Sequence, residues 1–417
     1  MKSTYKALAF FSSPPAFANA FNDSYGALTK AVKADVNRAL QADPELSNFV
    51  DNYKKEYVEK NIDKYYDIKA ILLVHLYGHI SNDYIVSLIH TFRMQIFFLI
   101  AGFFGSMLFY ERKLLKMIKN RAERIVFPFI VFLFLLSSTV VFAFGYSGSL
   151  FEGDVNALEG ATSLFSNLFI LVPRQTFHLW FLYYLVLITS ISIILALVFQ
   201  KLPSITNYIS ILFNWIINRS LARIVIFSSI TATVYSLIGS WSVATSTSLV
   251  PNFNTLIYYF VFYIIGWVLF KSKHLLYTFM KYDWLSMILA LVVFSIYFFM
   301  NSGFSYISHI IIKSIMVWLF VFGMIGLFIR YASSHSSIMR YISDASYWCY
   351  LIHLPLTVII PGLISDWIIP ATLKFLLVFI ITGVLCFLSY HYLVRGTFIG
   401  QFLNGRRYSS RLSDIKE

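Results

Sequence analysis

His75 and His79 stand four residues apart, His90 and Arg93 three apart, and all four lie in or beside apolar runs. Further along, FHLWFL carries His178, and SYWCYLIHLPL carries Tyr350 and His353. Histidine has an ordinary pKa near 6.5, which suits it to take up and return a proton, and a guanidinium is a fixed cation that holds a carboxylate, a phosphate or a developing oxyanion. Such groups are costly in hydrocarbon, roughly 2.5 to 3.5 kcal/mol for an arginine at a helix centre, so they must find protein partners or line a wet cavity. Arg121 and Arg124, i and i+3 just ahead of Pro128, put two guanidinium forks on one helical face. That arrangement either anchors a loop in the cytoplasm or grips phosphate.

Each histidine taken alone also reads as an interior group satisfied by a backbone carbonyl, or as part of an interfacial aromatic belt. Five gathered at one wet locus would not. Metal binding lacks a completing carboxylate, since Asp83 reads as loop and Asp67 falls about three turns from His79. No serine sits on a nucleophile turn, so a Ser-His-Asp triad has no support. The two cysteines, Cys349 and Cys386, are too far apart in sequence for a metal or redox motif and read as packing residues.

The elements that must position these groups follow from composition. Of the 417 residues, 58% are hydrophobic and only 13% charged, against about 25% charged in an ordinary soluble domain. The chain therefore reads as an all-α polytopic membrane protein. About twenty residues are needed to cross roughly 30 Å of hydrocarbon, and about ten transmembrane helices are expected, at 66–85, 88–110, 125–146, 178–199, 224–241, 254–271, 284–301, 310–331, 344–363 and 373–394. The net charge of +13 falls in short clusters between these runs, as the positive-inside rule places it, and not as a nucleic-acid footprint.

The basic connections containing Arg112 to Arg124, then Lys201, Arg219 and Arg223, then Lys271 to Lys281, and then Arg330 and Arg340 belong in the cytoplasm. The poorly basic ones, including a turn at Ser81-Asn82-Asp83, belong outside, which places both termini in the cytoplasm. Residues 1–65 form a polar, patchily helical N-terminal extension, 66–395 the membrane domain and 396–417 a basic cytoplasmic tail. The first twenty residues imitate a secretory signal ending in Ala18-Asn19-Ala20, but Ser12 to Pro15 break its apolar stretch and cleavage would reverse the topology. No internal repeat of the kind found in inverted-repeat carriers is visible.

Taken in order and spacing, HTFRMQIFF, RAERIVFP, FHLWFL and SYWCYLIHLPL resemble the membrane-bound acyltransferase family 3, and within it the branch assigned to succinylation of osmoregulated periplasmic glucans. The resemblance covers residues 66 to 395. It implies a bacterial inner-membrane enzyme that takes an acyl group from acyl-CoA, here succinyl-CoA, as cytoplasmic co-substrate and places it on a glucan or other polysaccharide outside. No permanently bound cofactor, metal or nucleic acid is implied. Carried over residue by residue, it makes His79 the central catalytic group with His90 and Arg93 beside it. It makes Arg121 and Arg124 the holders of the CoA phosphates, and His178, Tyr350 and His353 substrate contacts. The sequence departs from the pattern once. The family's arginine, eleven residues before the histidine and about 20° from it on the helix, is Ile68 here, and the nearest cation, Lys69, about 80° off, is taken in its place as the third acyl-CoA-binding residue. A carrier or flippase for a glycan or lipid-linked sugar is the rival reading, separated from the enzyme by consumption of acyl-CoA. A membrane sensor that uses the N-terminal extension is a third.

Overall fold

The computed structural model describes residues 62–112, 114–152, 156–166, 172–243, 246–300, 303–334, 336–365, 367, 369–405 and 407, with the side chains of the first helix from Ile80 onward. The expected extension at 1–65 lies almost wholly outside these residues, as do the side chains of Lys69, His75 and His79. The regular elements described are helices. They run α1 (Ile62–Glu111), α2 (Leu114–Arg121), a π turn (Ala122–Val126), α3 (Phe127–Glu152), α4 (Ala157–Ser163), α5 (Trp180–Gln200), α6 (Pro203–Asn218) and α7 (Ser220–Ile238). Then come α8 (Phe253–Lys271), a 3-10 segment (Lys273–Tyr282), α9 (Asp283–Met300), α10 (Tyr306–Tyr331), α11 (Ser337–Leu363), α12 (Ala371–Ser389), a second π turn (Tyr390–Val394) and α13 (Phe398–Asn404). Among the described residues, nine helical stretches are long and apolar enough to cross a membrane. The protein is an all-α multi-pass membrane protein.

Two expectations change. The spans at 66–85 and 88–110 are one helix, because α1 continues through Ser81, Asn82 and Asp83 without a turn. Those three residue types favour turns, but no glycine or proline lies between His79 and Ala101, and α1 absorbs polar side chains by back-bonding: Thr91 Oγ1 donates to Ser87 O at 2.9 Å. The placement of the N-terminus in the cytoplasm relied on that turn. The connection expected between 199 and 224 also contains a helix, α6, opened by Pro203 at its first position. Arg223, expected as a surface anchor, is 1% exposed. Its Nη1 reaches the carbonyls of Ile217 and Thr278 at 3.5 and 3.4 Å, and its guanidinium lies over the rings of Phe279 and Phe322. A helix end leaves carbonyls without intrahelical partners, and this side chain answers one of them.

The chain divides into two compact units. The larger comprises residues 86–137, 172–351 and 386 onward. Its centre is α10, which packs along α7 and α9. The fully buried Trp318 stacks on Phe227 and Phe262 at 4.9 and 5.0 Å and donates its indole N–H to Thr231 Oγ1 at 2.8 Å. Helices α1 and α8 cross at glycines. A Cβ on Gly102 would fall 1.9 Å from Tyr263 O, and one on Gly266 1.8 Å from Leu99 O, so backbone meets backbone there. Cys349 and Cys386, unrelated in sequence, come near each other without forming a disulfide. In the smaller unit Ser147 Oγ donates to Val358 O at 2.6 Å, joining α3 to α11, and Ile360, Ile364 and Val378 form a local apolar core.

Candidate active site

His90 and Arg93 are one turn apart on α1. His90 Nδ1 lies 2.8 Å from Val86 O. A carbonyl can only accept, so this nitrogen carries the proton and Nε2 presents its lone pair. That lone pair faces Arg93 Nη2 at 3.5 Å. The imidazole thereby orients the guanidinium. Arg93 Nε has no hydrogen-bond partner, and no ion pair among the described residues includes Arg93. Tyr259 and Tyr350 lie within electrostatic reach of it. Next to it, Phe98 stacks on Tyr259 at 4.6 Å and meets Phe181 edge-on at 4.9 Å, while Trp180 and Tyr259 are 5.5 Å apart. A cation held by one neutral base and bordered by aromatic rings is poised to take an anion, whose charge such surroundings would strengthen.

His178 and Tyr350 form the edge of the same housing, and both hydrogen-bond to backbone. Pro355 sits inside α11 and has no N–H, so the carbonyl of Leu351, four residues earlier, has no helical donor. His178 Nε2 donates to it at 2.7 Å, and Tyr350 Oη donates to His178 O at 2.6 Å. The turn bearing His178 is set by its approach. Phe177 has a φ of 45°, unusual for a residue with a Cβ, and Thr176 N and Oγ1 both donate to Thr247 O, at 2.7 and 2.9 Å. His178, expected as a substrate contact, thus joins α5 to a proline-opened site in α11. The bland alternative, a histidine satisfied by a carbonyl, describes this contact.

Arg121 and Arg124, expected on one face, are separated in function by the π turn. Pro128 cannot donate to Arg124 O, which instead accepts from Tyr347 Oη at 2.9 Å, and Phe127 N–H reaches back five residues to Ala122 O. Arg124 Nη1 donates to Leu403 O at 3.1 Å in the last turn of α13, where a cation also suits the helix dipole. Gly405 ends that helix at φ 72°, a conformation glycine adopts without strain, and it leaves room for the Arg124 guanidinium. Arg121 points elsewhere. Its Nη2 lies beside Gly105, whose absent side chain would also meet Tyr263 Oη, and neither Nε nor Nη2 has a partner. Tyr263 Oη is 3.2 Å from Thr189 Oγ1. Arg124 thus has one nitrogen engaged by Leu403 O, and Arg121 has two buried nitrogens without an acceptor.

The structure therefore brings together His90, Arg93, His178 and Tyr350, while Arg121 and Arg124 stand in separate settings. His353 belongs to the smaller unit, half-buried, with its carbonyl accepting from Thr357 Oγ1 at 3.1 Å. Sequence reasoning missed Tyr259 and Tyr263. Both sit in LIYYFVFYIIGW, which reads as a plain apolar span, and only the recurrence of tyrosine at 258, 259 and 263 hinted at a polar face.

A family model described as an acyltransferase domain (Acyl_transf_3) matches residues 68–391. The chain is similar to "Glucans biosynthesis protein C" of Escherichia coli O81 (strain ED1a), 26% identical over 308 residues that cover 69% of this chain and 75% of that protein. It is likewise similar to the proteins of that name from Escherichia coli O9:H4 (strain HS) and Escherichia coli (strain K12 / DH10B), each 27% identical with the same coverage. No solved structure matches.

Proposed function

The chain belongs to this acyltransferase family and is a multi-pass membrane O-acyltransferase, and from that premise we propose that it transfers a succinyl group from succinyl-CoA, bound on the cytoplasmic side of a bacterial inner membrane, to hydroxyls of a periplasmic glucan. The observation that supports this reading is Arg93, a guanidinium in a spanning helix with no acidic partner among the described residues, oriented by His90 beside an aromatic cluster. The name carried by the similar Escherichia coli proteins supports the glucan acceptor.

In the proposed reaction a histidine removes the proton of the sugar hydroxyl, the oxygen attacks the thioester carbonyl, and CoA leaves as its thiol after taking up that proton. Arg93 stabilises the oxyanion or holds the succinyl carboxylate, and Arg121 holds CoA phosphate. The family resemblance designates His79 as the base. His90, one turn from Arg93 and presenting its Nε2 lone pair, is the second candidate for that role. Substituting each histidine by alanine separates the two assignments.

Purified protein in liposomes, given succinyl-CoA and glucan, should release free CoA thiol and yield glucan heavier by whole succinyl groups. Glucan that crosses the membrane without CoA release would establish the carrier reading instead. Release from acetyl-CoA but not succinyl-CoA would keep the enzyme and change the donor.

A further inference from the structure

We propose that Lys313, His309 and Tyr297 form a second anion-binding site, one that takes a carboxylate or phosphate group and lies outside the Arg93 centre. Lys313 is half-buried in α10, two turns from its start at Tyr306. Among the described residues no ion pair includes it and no hydrogen bond engages its ammonium, which lies over the face of Tyr297, 5.6 Å away. An ionised group kept in a spanning helix without a counter-charge marks a binding function by default.

The surroundings are built rather than incidental. His309, four residues before Lys313, shares its face of α10. Its Nδ1 is 2.8 Å from Tyr297 Oη on α9, and its ring lies flat on Trp241 at 4.8 Å and 17°. Tyr306 meets Trp241 edge-on at 5.5 Å, and Phe304 stacks on Tyr297 at 6.0 Å. An ammonium, an imidazole and a phenol from two helices are thus held side by side by aromatic walls. Phe320 lies on the same stripe, since eleven residues from His309 return within about 20°. It stacks on Phe92 at 4.7 Å, next to Arg93 in the chain. The site therefore stands along one helical face from the Arg93 centre, about 10 Å up α10 from Phe320.

Two sources supply such an anion, the headgroup of a membrane lipid and a soluble or glycan-borne carboxylate or phosphate. The test uses the full chain in nanodiscs of neutral phosphatidylcholine, titrated separately with short-chain phosphatidylglycerol, inorganic phosphate and sodium succinate. At least one should bind saturably. Lys313→Gln should weaken that binding about tenfold or more, the size expected for loss of a charged hydrogen bond, while Lys313→Arg keeps it within about threefold. A response to the lipid alone assigns the site to headgroup phosphate, and a response to succinate or phosphate assigns it to soluble ligands. Without added anion, Lys313→Gln should unfold at the same temperature as the parent or higher, because it removes an uncompensated charge. Equal binding by parent and Lys313→Gln, failure of all three anions to bind the parent, or a lower unfolding temperature for Lys313→Gln would overturn the proposal. None of these outcomes depends on acyl transfer.

Discussion

Arg223 and Arg93 are both guanidinium groups in spanning helices of the larger unit, yet they are treated differently. Around Arg223 the protein has closed. Two backbone carbonyls accept from its Nη1 and two aromatic rings cover it, leaving it 1% exposed although its Nε has no acceptor. Around Arg93, whose Nε likewise has no acceptor, the protein has stopped short: among the described residues its hydrogen bond is to a histidine at 3.5 Å, with no backbone carbonyl and no covering ring on the guanidinium. A cation in a membrane helix is not evidence of function until its partners are counted. The first arginine holds helices together, and the second is kept waiting.

The sharpest way to break that contrast is to remove Arg93. Under the proposed role, Arg93→Ala should lower the acyl-transfer rate by about 10² to 10³, the range for losing one preorganised oxyanion donor, with the unfolding temperature near that of the parent. If stability falls and the rate per folded molecule does not, Arg93 is a second Arg223. Arg223→Ala should behave in the opposite way, losing about 2 kcal/mol of stability through its carbonyl and aromatic contacts, with the residual folded enzyme turning over normally. Denaturant titration in detergent together with initial rates reads both quantities. Arg121→Gln tests the same distinction at smaller scale. It should raise KM for the acyl donor about tenfold with kcat little changed, the sign of lost ground-state binding to phosphate. The smallest effect belongs to His178. His178→Phe should cost about 1 kcal/mol by leaving Leu351 O unanswered, and Pro355→Ala in the same chain should restore part of it by returning a helical N–H. Absence of that rescue would mean that His178 acts on something other than the carbonyl.

The spans were legible because a bilayer imposes one requirement, about twenty residues without exposed backbone or charge, and composition reports it directly. The position of His90 and Arg93 was legible for the same reason, as an exception to that requirement. What stayed hidden depended on hydrogen bonds between distant parts of the chain. Ser81-Asn82-Asp83 carries the local chemistry of a turn, and only the continuity of α1 decides otherwise. Arg121 and Arg124 look equivalent at i and i+3 until Pro128 opens the π turn and Leu403, far along the chain, claims one of them. Arg223 reads as a loop cation because the carbonyls it serves are in α6 and the 3-10 segment, whose ends sequence does not announce. Tyr259 was invisible because the surrounding Ile, Val and Phe residues keep the segment apolar as a whole.

The π turn at Ala122–Val126 also has a mechanical meaning. A π turn holds one residue more than the helix around it, and one residue is about 100° of rotation. Everything after Phe127 is therefore phased a quarter turn or more away from where an unbroken helix starting at Leu114 would have aimed it. The turn acts as a fixed gear offset between two shafts. It lets α3 show lipid the side that suits lipid while Arg121, on the other shaft, keeps its own heading toward Gly105 and Tyr263. Deleting a single residue inside it would not shorten the helix so much as re-aim one end against the other.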